Sequence, residues 1–307
     1  MNDARNPETL TLTVADGFPI TALRYPADGT VRGHLLVAGA TGVPQRFYKR
    51  FADHAAQQGY TTLTLDYRGI GLSRLAVHRR SLRGFEMNYL DWAHLDLAAA
   101  VDEMASDSLP LFMVGHSFGG HAFGLLPNHR RVARFYTFAT GAGWHGWMPR
   151  AEQFKVLAMW RVVGPLLTRS AGYLPWSLLG MGEDLPLSVY RQWRHWCQYP
   201  RYFFDDPAMA HLAQRFAAVR TPIVAANALD DHWAPPRSRD AFMAAYSHAE
   251  QVAVDIVPHQ AGLGSVGHMG YFKPQARPLW DAALQWLGQH PPTVLSPTPC
   301  LPVSTPE

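Results

Sequence analysis

Apolar residues alternate with polar ones at Leu10, Leu12 and Val14, Asp16-Gly17 offers a turn, and Phe18 to Tyr25 resumes an extended pattern. The chain is therefore predicted to open on an antiparallel hairpin. Leu35-Leu36-Val37-Ala38 is short and apolar throughout, as expected of a strand covered on both faces. Phe47, Phe51 and Ala55 then recur at helical spacing across Gln45 to Gln58, and Gly59 ends that helix. A strand at Tyr60 to Leu65, a helix over Tyr89 to Met104, a strand at Leu109 to Val114 and another at Ala133 to Thr140 continue the alternation. Strands separated by helices pair in parallel through crossovers, which predicts an α/β sheet with helices on both faces.

The rhythm breaks between Gly141 and about Pro207. This stretch is punctuated by Pro149, Pro165, Pro175, Pro186 and Pro200, shows no clear strand, and reads as a helical insertion. Six of the 10 tryptophans fall within it: Trp144, Trp147, Trp160, Trp176, Trp193 and Trp196. One helix, Val156 to Leu167, places Leu157, Trp160, Val163 and Leu167 where they could line a pocket or pack on the core. The alternation returns with a strand at Pro222 to Ala226, a helix near Ser238 to Ser247, a strand at Val252 to Val257 and a final helix at Leu279 to Leu287. Six prolines from Gln289 onward predict an extended or disordered tail. The expected division is a core of residues 1–140 and 207–288, an insertion over 141–206 and a tail over 289–307.

Composition narrows the classes. A chain of 307 residues, 48% hydrophobic and 17% charged, can bury a full core, which excludes a disordered or fibrous protein. The net charge is +3, the 27 basic residues are dispersed, and only Lys49, Lys155 and Lys273 are lysines, so no stripe argues for nucleic acid. Two cysteines, Cys197 and Cys300, are too few for a disulfide framework or a cysteine-rich zinc site. His116 and His121 stand five apart without an adjacent ligand set, and no metal or other cofactor is expected. A polar N-terminus predicts a cytoplasmic protein. Arg161, Gly164, Pro165 and Arg169 interrupt the longest apolar stretch, Val156 to Leu179, so no stable membrane insertion is expected.

The chemistry is concentrated in Gly115-His116-Ser117-Phe118-Gly119, which fits the G-x-S-x-G nucleophile elbow. An apolar strand runs into it and Gly120-His121-Ala122-Phe123 opens a plausible helix. Turning from strand to helix within one residue requires small neighbours two places before and after the serine, because larger side chains would meet backbone. A serine hydroxyl also needs a base, and the base an acid. Asn227 to Pro236 puts Asp230 and Asp231 in a loop after a strand, and Gly267-His268-Met269-Gly270 offers a histidine on a pliant loop. His259, directly after the last strand, is the rival base and reads better as a solvent-facing residue. His116 occupies a variable elbow position and is expected to pack or hydrogen-bond within the sheet.

These segments together resemble the α/β-hydrolases, and the likeness runs from about Leu10 to Leu287. Asp66 to Ser73 resembles the D-x-R-G-x-G-x-S stretch common after the fourth strand, and Gly267 to Phe272 the histidine segment. Trp176 to Pro200 further resembles a poorly characterised bacterial branch of predicted α/β-hydrolases. The resemblance implies a mostly parallel eight-stranded sheet with a helical cap after the sixth strand. It implies Ser117 as nucleophile, His268 as base and Asp231 as acid, since the family's acid commonly stands four residues before a proline, here Pro235. The oxyanion donors it implies are the amides of Phe118 and Ala40, with Thr41 second to Ala40. Where the family often has His-Gly-x, this chain has Ala38-Gly39-Ala40, which removes one support of that loop.

The implied activity is hydrolysis of a small-molecule ester or thioester with an apolar acyl or alcohol part. An acyltransferase, a C–C bond hydrolase and a non-enzymatic binding module on the same scaffold are the alternatives. A serine in place of an aspartate nucleophile speaks against dehalogenase and epoxide hydrolase chemistry.

Overall fold

A computed structural model describes residues 6–289. The tail expected over 289–307 lies, but for its first residue, outside the described residues. Eight strands form one sheet: β1 (Glu8–Thr13), β2 (Pro19–Tyr25), β3 (Gly33–Ala38), β4 (Tyr60–Leu65), β5 (Leu111–His116), β6 (Val132–Phe138), β7 (Ile223–Ala228) and β8 (Gln251–Ile256), in the order β1-β2-β4-β3-β5-β6-β7-β8. The pairs β1/β2 and β2/β4 are antiparallel and the others parallel. The opening hairpin and the helix-linked parallel pairs are both as the pattern predicts.

The all-apolar strands serve two cores at once because side chains alternate across the sheet. Leu36 and Ala38 of β3 face the layer holding Trp92 and Phe118, while Leu35 and Val37 face the layer of Phe51 and Trp280. The helices α1 (Lys49–Gln57), α2 (Ala98–Met104) and α3 (Phe118–Ala122) follow β3, β4 and β5. Between β6 and β7 come α4 (Arg150–Ala158), α5 (Gly164–Ala171), α6 (Leu187–Trp196) and α7 (His211–Ala217); α8 (Pro236–Met243) follows β7, and α9 (Arg277–Leu287) follows β8.

Several boundaries move for physical reasons. β5 starts at Leu111 rather than Leu109 because Pro110 has no N–H to give to a ladder; it runs on to His116, paired with Phe138. β6 stops at Phe138 because Ala139 takes φ +56° and leaves the extended region. The helix expected over Tyr89 to Met104 contains a π-helical stretch, Trp92–Leu97, before α2. The helix expected over Val156 to Leu167 is part of a longer run in which α4 and α5 flank a second π-helical stretch, Met159–Val163.

The segment between β6 and β7 does not float free of the sheet. Trp196, Tyr202 and Phe203 are buried in the same core as Trp92 and Phe118, and the Glu183 amide donates to the Gly42 carbonyl at 2.8 Å. Among the described residues, no helix is long and apolar enough to cross a membrane.

Candidate active site

Ser117 sits between the end of β5 and the start of α3 with φ +52° and ψ −108°. Few L residues adopt that conformation, and the glycines around it show what permits it. A Cβ on Gly119 would lie 2.0 Å from the Ala38 carbonyl oxygen, and one on Gly115 would lie 2.8 Å from the Gly119 backbone. The strand, the serine and the helix can be this close only without side chains there. The Ser117 hydroxyl is thereby presented at the first turn of α3.

Three of the residues singled out in the sequence converge. His268 Nε2 lies 3.1 Å from Ser117 Oγ, and His268 Nδ1 lies 3.1 Å and 3.0 Å from the two oxygens of Asp231. A carboxylate can only accept, so Nδ1 carries the proton and Nε2 is free to accept from the serine. Asp231 is fully buried. Burial would raise its pKa, but the His268 charge and hydrogen bond, the Ala234 amide and the Tyr271 hydroxyl outweigh it and hold the carboxyl below its ordinary value. The amides of Trp233 and Ala234 each donate to Oδ1 at 3.0 Å, and Tyr271 Oη donates to Oδ2 at 3.0 Å while accepting the Ala228 amide at 2.8 Å.

Asp230 points elsewhere. Its carboxylate accepts from Ser265 Oγ and from the amides of Val266 and Gly267 at 2.8, 2.9 and 3.1 Å, bracing the loop that carries His268. His259 is exposed on the turn after β8. His116 is fully buried, and burial drives its pKa down to about 3, so it is neutral. Its Nε2 lies 3.0 Å from the His268 carbonyl oxygen and must donate to it, which leaves Nδ1 to accept from Tyr48 Oη at 2.9 Å.

The loop after β3 departs from expectation. The Ala40 amide donates to Tyr48 Oη at 2.7 Å and so is already engaged within the protein, which counts against Ala40 as an oxyanion donor. Among the described residues the amides of Thr41 and Phe118 have no protein partner. Tyrosines supply the support that the missing histidine would have given. Tyr67 Oη donates to the Gly39 carbonyl at 3.3 Å, Tyr48 holds Ala40, and Tyr89 Oη is hydrogen-bonded to Thr41 Oγ1. Tyr89 also stacks on Phe118 with ring centroids 4.7 Å apart, so one side chain touches both residues with free amides. Nothing in the spacing of Tyr48, Tyr67, Tyr89 or Tyr271 distinguishes them from ordinary core aromatics, although Tyr271 lies within the histidine segment.

A cavity of about 150 Å³ opens over Ser117 and His268, walled by Thr41, Trp176, Trp193 and Trp233 among others. Of the six clustered tryptophans only Trp176 and Trp193 reach it; Trp160 and Trp196 are buried in packing, and the third indole of the wall, Trp233, comes from the Asp231 loop. Among the described residues, no three His, Cys, Asp or Glu side chains converge as a metal ligand set.

This sheet and this elbow define the class of fold, that of the α/β-hydrolases. Residues 31–177 match the family model for serine aminopeptidase, S33. Among solved structures the chain is similar to a soluble variant of monoglyceride lipase from Saccharomyces cerevisiae in complex with a substrate analog, at 17% identity and TM-score 0.63 over 94% of this chain and 96% of that one. It is also similar to an esterase from Exiguobacterium antarcticum (13% identity, TM-score 0.60, 92% and 100% covered) and to the thioesterase domain from the curacin biosynthetic pathway (12%, 0.55, 92% and 99%). No curated protein matches the sequence. The family match and the shared fold together support a hydrolase.

Proposed function

We propose that the protein is a serine hydrolase acting on an ester or thioester with an apolar acyl group. The observation that carries this reading is the unbroken line from Ser117 Oγ through both nitrogens of His268 to the buried carboxylate of Asp231. As Ser117 Oγ attacks the carbonyl carbon, its proton passes to His268 Nε2, and the carbonyl oxygen takes the negative charge facing the amides of Phe118 and Thr41. The C–O or C–S bond then breaks, and His268 returns the proton to the departing alcohol or thiol. Water gives its proton to the same nitrogen, attacks the acyl-serine, and releases the acid while Ser117 regains its hydrogen. Asp231 fixes the imidazole's tautomer and faces its positive charge throughout. Residues 141–206 act as a cap, since Trp176 and Trp193 project from them over the serine.

The test is labelling with a fluorophosphonate probe followed by peptide mass analysis. An adduct on Ser117 that disappears in Ser117→Ala is expected. Wild-type protein that stays unlabelled between pH 6 and 9 refutes the reading.

A further inference from the structure

We propose that the acyl site takes one compact, uncharged group of about benzene size joined directly to the scissile carbonyl, with Trp193 setting that limit. The inference rests on the serine-hydrolase reading. The space over Ser117 is about 150 Å³, and an apolar protein cavity of roughly 150 Å³ accommodates a single benzene. A longer acyl chain finds no enclosed space among these residues and has to run out through the open side of the pocket.

The wall explains both the size and the absence of charge. Trp193 on α6 is the hub, with its ring 4.9 Å from Trp176, 6.1 Å from Trp233 and 5.0 Å, edge to face, from the buried Trp160. It is backed on the cap side and cannot retreat without displacing Trp160. Trp233 is tied by its own amide to Asp231 Oδ1, and its ring lies 6.1 Å from that of His268. Met181 and Met269 complete the apolar lining. Indole faces would also attract a cation. Here, however, no carboxylate among the described residues lines the wall to pair with a cation, so the desolvation cost of a charged acyl group goes uncompensated.

The experiment measures kcat/KM for p-nitrophenyl acetate, butyrate, benzoate and octanoate, each normalised to its hydroxide-catalysed rate. A matched pair is added, the esters of 3,3-dimethylbutanoic acid and of trimethylammonioacetic acid, which share a shape and differ in charge. Wild type is expected to favour butyrate or benzoate over octanoate, and the neutral isostere over the cationic one, by at least tenfold each. In Trp193→Ala the octanoate-to-benzoate ratio should rise at least tenfold. Octanoate equal to or better than benzoate in labelled wild-type protein overturns the size limit, and a preference for the cationic isostere overturns the charge claim. Failure to label Ser117 would instead remove the hydrolase reading beneath both. Should Trp193→Ala not fold, as judged by circular dichroism, the wild-type ratios still decide, and Trp193→Leu takes its place.

Discussion

Tyr48 Oη and His116 Nδ1 lie 2.9 Å apart in the buried space between the loop after β3 and the loop that carries His268. Through this contact the Ala40 amide, the Tyr48 hydroxyl, the His116 ring and the His268 carbonyl form one directed series of hydrogen bonds. Each link has a single allowed direction, because the carbonyl accepts only and the amide donates only. Burial pushes the Tyr48 hydroxyl well above its ordinary pKa, so it remains a donor to His116. The loop after β3 and the loop that carries His268 are thereby tied to each other by Tyr48 and His116.

Tyr48→Phe tests that coupling. It strands the Ala40 amide and His116 Nδ1 without a partner, at about 1–3 kcal/mol for each buried group. Loss of a direct oxyanion donor costs on the order of a hundredfold or more in kcat, and loosening the loop that carries one should cost about tenfold, with KM little changed. Steady-state kinetics on the best ester, with urea unfolding to confirm that the variant is folded, checks this. A folded variant with wild-type kcat shows that Tyr48 only stabilises.

Acid should weaken the fold through His116 and His121. Burial lowers their pKa values to about 3 and about 4, below the ordinary histidine value of 6.5. Both rings are therefore neutral in the folded chain and take up protons on unfolding once the pH falls below about 6.5. Stability from each is complete above that pH and is lost as the pH drops toward its folded value. Between pH 7 and pH 5 the loss is about 2 kcal/mol per histidine. Urea titrations at the two pH values measure it, and in His116→Gln the fall should shrink by that amount. An unchanged slope in the variant would mean that His116 is not buried neutral.

How much of this can be read from the chain depends on the range of the interaction. The elbow is legible because its pattern is local: Gly115 and Gly119 stand within two residues of Ser117, although the collision that bars a side chain at Gly119 is with Ala38 of β3. Period-two and helical patterning likewise report the sheet and its order of elements. Asp231 can be separated from Asp230 only by resemblance, since neighbouring carboxylates look alike until the loop turns one toward His268 and the other toward Val266 and Gly267. Ala40 passes for the second oxyanion amide as long as the hydroxyl that occupies it is out of sight. Tyr48, Tyr67 and Tyr89 reach the loop from 8, 28 and 48 residues further along the chain, and a hydroxyl at the tip of a core aromatic leaves no periodic mark.

The two aspartates should separate cleanly in kinetics. Asp231→Asn keeps the size but presents an amide to His268 Nδ1, favouring the wrong tautomer, and a loss in kcat on the order of 10⁴ is expected. Asp230→Asn weakens the three hydrogen bonds that brace the His268 loop and leaves the imidazole's partner intact, so a loss of about tenfold is expected. Comparable losses in the two variants would reassign the acid.

The strain at Ser117 predicts a gain in stability when its function is removed. Its φ of +52° with ψ of −108° suits glycine and penalises any residue with a Cβ. Ser117→Ala and Ser117→Gly both lack the hydroxyl that meets His268, so the difference between them isolates the backbone. Strain of about 1–3 kcal/mol is released in the glycine variant, against about 0.5–1 kcal/mol of extra chain entropy lost on folding. Relief of strain outweighs the entropy, and Ser117→Gly should be the more stable of the two by about 1 kcal/mol, a rise of roughly 2 °C in Tm for a chain of this size. Equilibrium unfolding of the pair, both inactive toward the fluorophosphonate, provides the measurement. An alanine variant as stable as the glycine one would show that the elbow relaxes to an ordinary φ once its serine is gone, and that the hydroxyl's contact with His268 holds the turn in place.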